Sequence, residues 1–238
     1  MKTIDVFAVL ISVHALIACD NANTPSPVMG GEGVGAGEPH VGAGVAAVTL
    51  GFFVSSDTSK TGNLGGLAGA DSRCQALAKA AGFTKKKWHA YLSVEHGDSG
   101  GPVNARDRIG IGPWYNANGV LVAADLASLH TRTGDAEVFL DERGKKVNGQ
   151  WPASPSPVEH DILTGSREDG TVMADKTCAD WTSSDTALAA QVGHSDGLGP
   201  GANPNQPYSS WNSAHSNEGC NDTGPRGGAG RVYCFAVD

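Results

Sequence analysis

The stretch "GLAGADSRCQALAKAAGFTKKKWHAYLS", residues 66–93, sets the frame for the whole chain. Cys74, Leu77, Ala78 and Ala81 recur at helical spacing, which predicts a helix over 71–81, and Gly82 supplies the stop. Cys74 then lies on the apolar face, where a structural disulfide belongs. Beyond the Lys85-Lys86-Lys87 turn the period changes. Trp88, Ala90, Leu92 and Val94 alternate with His89, Tyr91 and Ser93, the period of a half-buried strand.

Outward from this core, apolar runs mark further elements. Residues 48–55 and 231–237 read as strands, and 179–182 as a short strand candidate. Residues 120–129 read as a strand turning into a short helix. Val138-Phe139-Leu140 and Lys146-Val147 flank Glu142-Arg143-Gly144 as a hairpin. Three prolines in residues 151–157 force a loop. With 33 glycines and only 18% charged residues, the composition predicts an α+β fold with few long helices and long loops. The formal charge is −8, and the one basic run, 85–87, reads as a solvated turn, so nucleic acid is not an expected partner.

The N-terminus divides from the rest. Lys2 precedes an apolar run, Val6 to Ala18, too short to span a bilayer comfortably and suited to a signal peptide. Leu16-Ile17-Ala18-Cys19 resembles a bacterial lipobox. That resemblance implies cleavage after residue 18, a diacylglycerol thioether on Cys19 and a place in the bacterial cell envelope, at the outer membrane or cell surface rather than the inner membrane. Residues 19–49 read as a flexible tether: seven of the fifteen residues from Gly30 to Gly44 are glycine. A coil of this length holds a domain about 30 Å from its anchor. The globular domain is expected at 50–238. Export allows disulfides among Cys74, Cys178, Cys220 and Cys234, and spacing alone leaves three connectivities open.

"HGDSGGPV", residues 96–103, reads like the nucleophile motif of a trypsin-type protease, with Ser99 as nucleophile. Too little chain precedes it for a first barrel carrying the histidine. The alternative nucleophile elbow needs a strand running directly into a helix, which Gly100-Gly101-Pro102 opposes. A glycine-rich surface loop is the expectation, and hydrolysis through Ser99 is the outlying alternative. The histidines stand singly. His194-Ser195-Asp196 and His215 read as a hydrogen-bonded loop, not a metal motif.

The opening stretch resembles the start of the collagen-derived endostatin domain, in which Gly-Ala-Asp-x-x-Cys also begins a helix. "AEVFLDERGKKVNGQWP", "LTGSREDGTVMADKTCADWTSS" and "RVYCFAVD" resemble later blocks of that domain, in the same order. "ARDRIGIGPWYNANGVLVA" resembles bacterial lectin-like lipoprotein domains. Both groups belong to the C-type lectin-like fold. The resemblance covers roughly 50–238 and implies two nested disulfides, Cys74–Cys234 and Cys178–Cys220.

It also implies a binding module rather than an enzyme, recognising carbohydrate or another surface ligand; the alternative is an adhesin-like module that contacts protein without sugar. Calcium-dependent lectins of this fold carry Trp-Asn-Asp near the third cysteine, where this chain has Trp211-Asn212-Ser213. Glu168, Asp169 and Asn212 would give calcium three of the six to eight oxygens it takes, so no cofactor is expected. Trp88, Trp151 and Trp181 read as core. The expected ligand site is the loop pair 151–177 and 193–219, with Trp211 as a stacking face beside Asn212 and with His194 and Asp196 in the same stretch. The Trp114-Tyr115-Asn116 loop is the fallback.

Overall fold

The longest strand organises the rest. The computed structural model describes residues 49–237, and in it β8 (Gly228–Ala236) runs through the middle of a six-stranded sheet. One edge of β8 takes β1 (Phe52–Val54), antiparallel, with Phe53 opposite Cys234. Along the other edge lie β2 (Trp88–Ala90), antiparallel, and β5 (Asp161–Leu163), parallel. β6 (Gln191–His194) and β7 (His215–Ser216) extend the sheet beyond β5. β3 (Trp114–Tyr115) and β4 (Leu121–Ala123) form a separate ribbon. The architecture is mixed α/β, with few helices and many short strands.

Both faces of the central sheet are covered. Phe53, Val232, Cys234, Leu163 and Val192 point toward α1 (Gly66–Ala80), among Cys74, Ala78, Trp88 and Trp181. Phe52, Val54, Ile162, Tyr233 and Phe235 point the other way, onto Trp114, Leu129, Phe139 and Trp211. Two-sided burial explains why these strands read as apolar runs. It also corrects the alternation read into residues 88–94: Tyr91 and Ser93 are as buried as their neighbours, Tyr91 within the second core and Ser93 through its hydroxyl, which meets the Ser166 hydroxyl and accepts from the Ala105 amide.

Helix α1 starts five residues before the expected Asp71. Gly65 and Gly66 enter it at φ 77° and 69°, a region that favours glycine. Asp71 instead ties the helix to its neighbours, its carboxylate accepting from the Ala90 amide at 2.8 Å and Arg108 Nη2 at 2.6 Å. The 120–129 reading holds as β4 followed by α2 (Leu126–Thr131), which Asp125 and Ser128 close with a capping box. The hairpin around Gly144 is reduced to a single bridge, Leu140 with Lys146. Trp151 is half-buried at the surface rather than core, with Lys146 Nζ over its ring.

Two disulfides staple the fold. Cys74–Cys234 joins α1 to β8, and Cys178–Cys220 lies nested inside it in sequence. The 179–182 strand candidate is not a strand. Cys178, Ala179, Asp180 and Trp181 form one left-handed turn, with φ between 48° and 65°. Such a turn costs about 1–2 kcal/mol per residue. Three contacts offset it: the Cys178–Cys220 bond, the buried Trp181 ring, and the Thr177 hydroxyl accepting from the Asp180 amide. The disulfide passes so close to Gly62 that a Cβ there would meet Cys178 Sγ at 2.4 Å. No helix among the described residues is long and apolar enough to cross a membrane. The expected leader, Cys19 and the tether to residue 48 lie outside the described residues.

Candidate functional site

The loops expected to carry a ligand, 151–177 and 193–219, converge with their chemistry turned inward. Trp211 is 1% exposed, packed against Tyr91, Phe139 and Tyr233, and its Nε1 donates to the Leu129 carbonyl. It offers no face for stacking on a sugar. Asn212 is also 1% exposed, and its amide nitrogen faces the Tyr91 hydroxyl and the Arg167 and Glu168 carbonyls at 3.0–3.1 Å. It clasps the loop. The fallback fares no better: Trp114 is buried, and buried Asn116 closes its own turn through the Asn118 and Val120 amides.

Of the expected calcium set, Asn212 keeps its oxygen on the Ser210 hydroxyl at 3.2 Å. Asn212 meets Glu168 through that residue's main-chain carbonyl, not its carboxylate. The Asp169 carboxylate accepts from the Thr171 hydroxyl and amide, which hold its pKa below the ordinary value against a small burial effect, with Arg106 adding to the lowering.

His194 and Asp196 belong to a different arrangement. In the β5–β6 ladder Asp161 stands directly opposite His194, and Val192 opposite His215 of β7, so Asp161, His194 and His215 share one sheet face. That face is apolar at Leu163 and Val192 and turns polar at its end. Asp161 Oδ1 lies 3.2 Å from His194 Nε2 and 3.4 Å from His160 Nε2; Oδ2 lies 3.5 Å from His215 Nε2. The His160 and His194 rings stack, centroids 4.3 Å apart. Asp196 supports the cluster from behind, Oδ1 accepting from His160 Nδ1 at 2.7 Å and Oδ2 from the Gln150 amide at 2.6 Å. Burial opposes its charge, but these bonds, the attraction of the His160 ring and the Leu198 amide hold its pKa below the ordinary carboxylate value. The sequence reading named His194, Asp196 and His215 but missed His160-Asp161, because strand register rather than spacing brings the groups together.

A second feature is open. A cleft of about 550 Å³ lies over the Gly97–Gly101 turn. Leu67, Ala68, Val94 and Val103 supply apolar lining; His96, Asp98, Ser99, Asp180 and Thr182 supply polar groups. The bridge between Val94 and Val103 pins the turn, and the Gly97 and Gly100 amides close it. The Asp180 carboxylate, carried by the left-handed turn, accepts from the Glu95 and His96 amides at 2.6 and 3.2 Å and faces His96 Nδ1 at 3.1 Å. Ser99 is exposed, and among the described residues no hydrogen bond joins it to His96.

No family model matches the chain, and no curated protein matches it.

Proposed function

We propose that the chain is an extracytoplasmic, C-type lectin-like binding module, tethered to the membrane by lipid on Cys19, that takes a carbohydrate or similar polar surface ligand in the cleft over Gly97–Gly101. The observation that carries this reading is the mixed lining of that cleft. A sugar ring presents C–H faces and paired hydroxyls. Leu67, Ala68, Val94 and Val103 suit the former, while Asp98, Ser99, Asp180 and Thr182 supply the acceptors and donors for the latter. The walls are fixed in advance by α1, the Val94–Val103 bridge and the stapled left-handed turn, which limits the ordering cost of binding. Two disulfides fit an oxidising compartment. A glycan array probed with the full chain, in calcium and in chelator, tests the reading. Calcium-independent binding supports it; a silent array under both conditions overturns the carbohydrate reading and leaves a protein ligand.

One observation favours a second reading, hydrolysis through Ser99: His96 and Asp180, 3.1 Å apart, line the same cleft as Ser99, a pairing of the kind that orients a base. The missing Ser99–His96 bond and the water-exposed His96 ring weigh against it. Labelling of Ser99 by a fluorophosphonate, abolished in Ser99→Ala and His96→Ala, is the result this reading requires.

A further inference from the structure

We infer that the Cys178–Cys220 disulfide is a redox switch for the cleft over Gly97–Gly101: its reduction by a dithiol lets the left-handed turn at Cys178–Trp181 relax and withdraws Asp180 from the cleft wall. The backbone supplies the spring. Cys178, Ala179, Asp180 and Trp181 stand at φ 48°, 51°, 55° and 65°, and none is glycine. Each L-residue in this region is disfavoured, so four in succession persist only where their surroundings hold them. The first of the four is bonded to Cys220. The last is anchored by burial of the Trp181 ring and by its Nε1 bond to the Ser93 carbonyl. Cutting the disulfide removes the covalent anchor at one end. What remains there is the Cys178 amide on the Ala189 carbonyl, at 3.3 Å, and the Thr177 hydroxyl on the Asp180 amide.

Asp180 is the joint between turn and cleft. Its carboxylate accepts from the Glu95 and His96 amides and so pins the chain just before the Gly97–Gly101 loop. Asp180 and Thr182 also line the cleft itself. Relaxation of the turn therefore takes a polar group from the wall and frees the loop that carries Asp98 and Ser99. This regulatory role rests on the cleft's being the ligand site.

The two staples differ in what must open before a thiol can reach them. Cys74–Cys234 joins α1 to the central strand β8, so exposing it parts the helix from the sheet. Cys178–Cys220 joins the turn to the loop after β7, and Cys178 lines a cavity of about 290 Å³ together with Glu95, Asp175, Thr177 and Leu188. A local opening exposes it, and local openings lie below global unfolding in free energy. In the exchange a thiolate of the dithiol attacks Cys178 Sγ, the Cys178–Cys220 bond breaks, and Cys220 leaves as a thiolate and takes a proton. The second thiol then attacks the mixed disulfide, Cys178 leaves and is protonated, and the dithiol departs oxidised by two electrons. Glu95 and Asp175 disfavour an incoming thiolate, so a dithiol, which completes the exchange within one molecule, suits the site better than a monothiol.

The test treats the oxidised full chain with dithiothreitol at neutral pH, traps free thiols with iodoacetamide at intervals and maps them, while amide hydrogen exchange is followed by NMR. Cys178 and Cys220 should be alkylated together, on the order of tenfold faster than Cys74 and Cys234. In the chain reduced at that one bond, the Glu95 and His96 amides should exchange on the order of tenfold faster, while the β8 amides keep their protection. Reoxidation should restore the slow rates. The paired Cys178→Ser and Cys220→Ser variant should show the same exchange pattern without reductant. Reduction of Cys74–Cys234 first, or at the same rate, overturns the inference. So does unchanged exchange at Glu95 and His96 after selective reduction or in the paired variant, or loss of protection throughout β8 on selective reduction. None of these readouts involves a ligand, so a failed switch and a silent glycan array are separate results.

Discussion

Trp181 reaches across the fold to Ser93: its indole Nε1 donates to the Ser93 carbonyl at 2.8 Å, and both residues are buried. This bond holds the left-handed turn against the segment after β2 that leads into the Gly97–Gly101 loop, and so fixes Asp180 at the cleft. Trp181→Phe keeps most of the packing but leaves that carbonyl unpaired. A loss of about 1–3 kcal/mol in denaturant unfolding is expected. A change near zero would mean that the turn is held by the disulfide alone.

The staples should differ in worth. Closing the 160-residue separation of Cys74–Cys234 restricts the unfolded chain more than closing the 42 residues of Cys178–Cys220. Loop entropy alone gives about 5 and about 4 kcal/mol. Paired serine substitutions, compared by thermal unfolding, should show that order. Non-reducing peptide mapping that linked Cys74 to Cys178 would contradict the fold itself.

Asp125 predicts a modest acid sensitivity in α2. Hydrogen bonds from the Ser128 amide, then from its side chain, lower the Asp125 pKa in the folded state. A folded value below the unfolded one stabilises fully above the ordinary value of 3.8, and the effect fades as pH falls through the folded value. Asp125→Ala should lower the thermal midpoint at neutral pH and narrow its gap to wild type in strong acid. A gap independent of pH would remove the cap from the account.

How far the sequence discloses this molecule depends on which contacts are local. The period of Cys74 and Ala78 announces α1, yet its first turn is hidden by Gly65, Gly66 and Gly69, which no propensity rule reads as helix. The apolar runs locate β1 and β8, but burial on both faces erases the alternation that would have given their orientation. The left-handed turn has no glycine to advertise it, since tertiary contacts rather than local preference hold it. His194 and Asp196 are legible as polar loop residues; their partners His160 and Asp161 are not, because only the β5–β6 register sets them opposite one another. Trp211 and Asn212 carry the chemistry of a sugar site and spend it inside the core.

Anchoring concerns a segment outside the described residues and is tested separately. Cys19→Ala should leave the precursor uncut or release the chain from membranes. Intact-mass measurement on membrane-derived protein should find an N-terminal lipidated Cys19; an unmodified N-terminus further along would end the tether reading.

The central claim is that ligand binds over the Gly97–Gly101 turn. The most direct measurement compares wild type with Ser99→Trp on the same glycan array, alongside their thermal midpoints. Ser99 is exposed, so the indole should fill the cleft without disturbing the core. Wild type should bind, the variant should lose at least tenfold in affinity, and the midpoints should agree. Equal binding by the two proteins would contradict it.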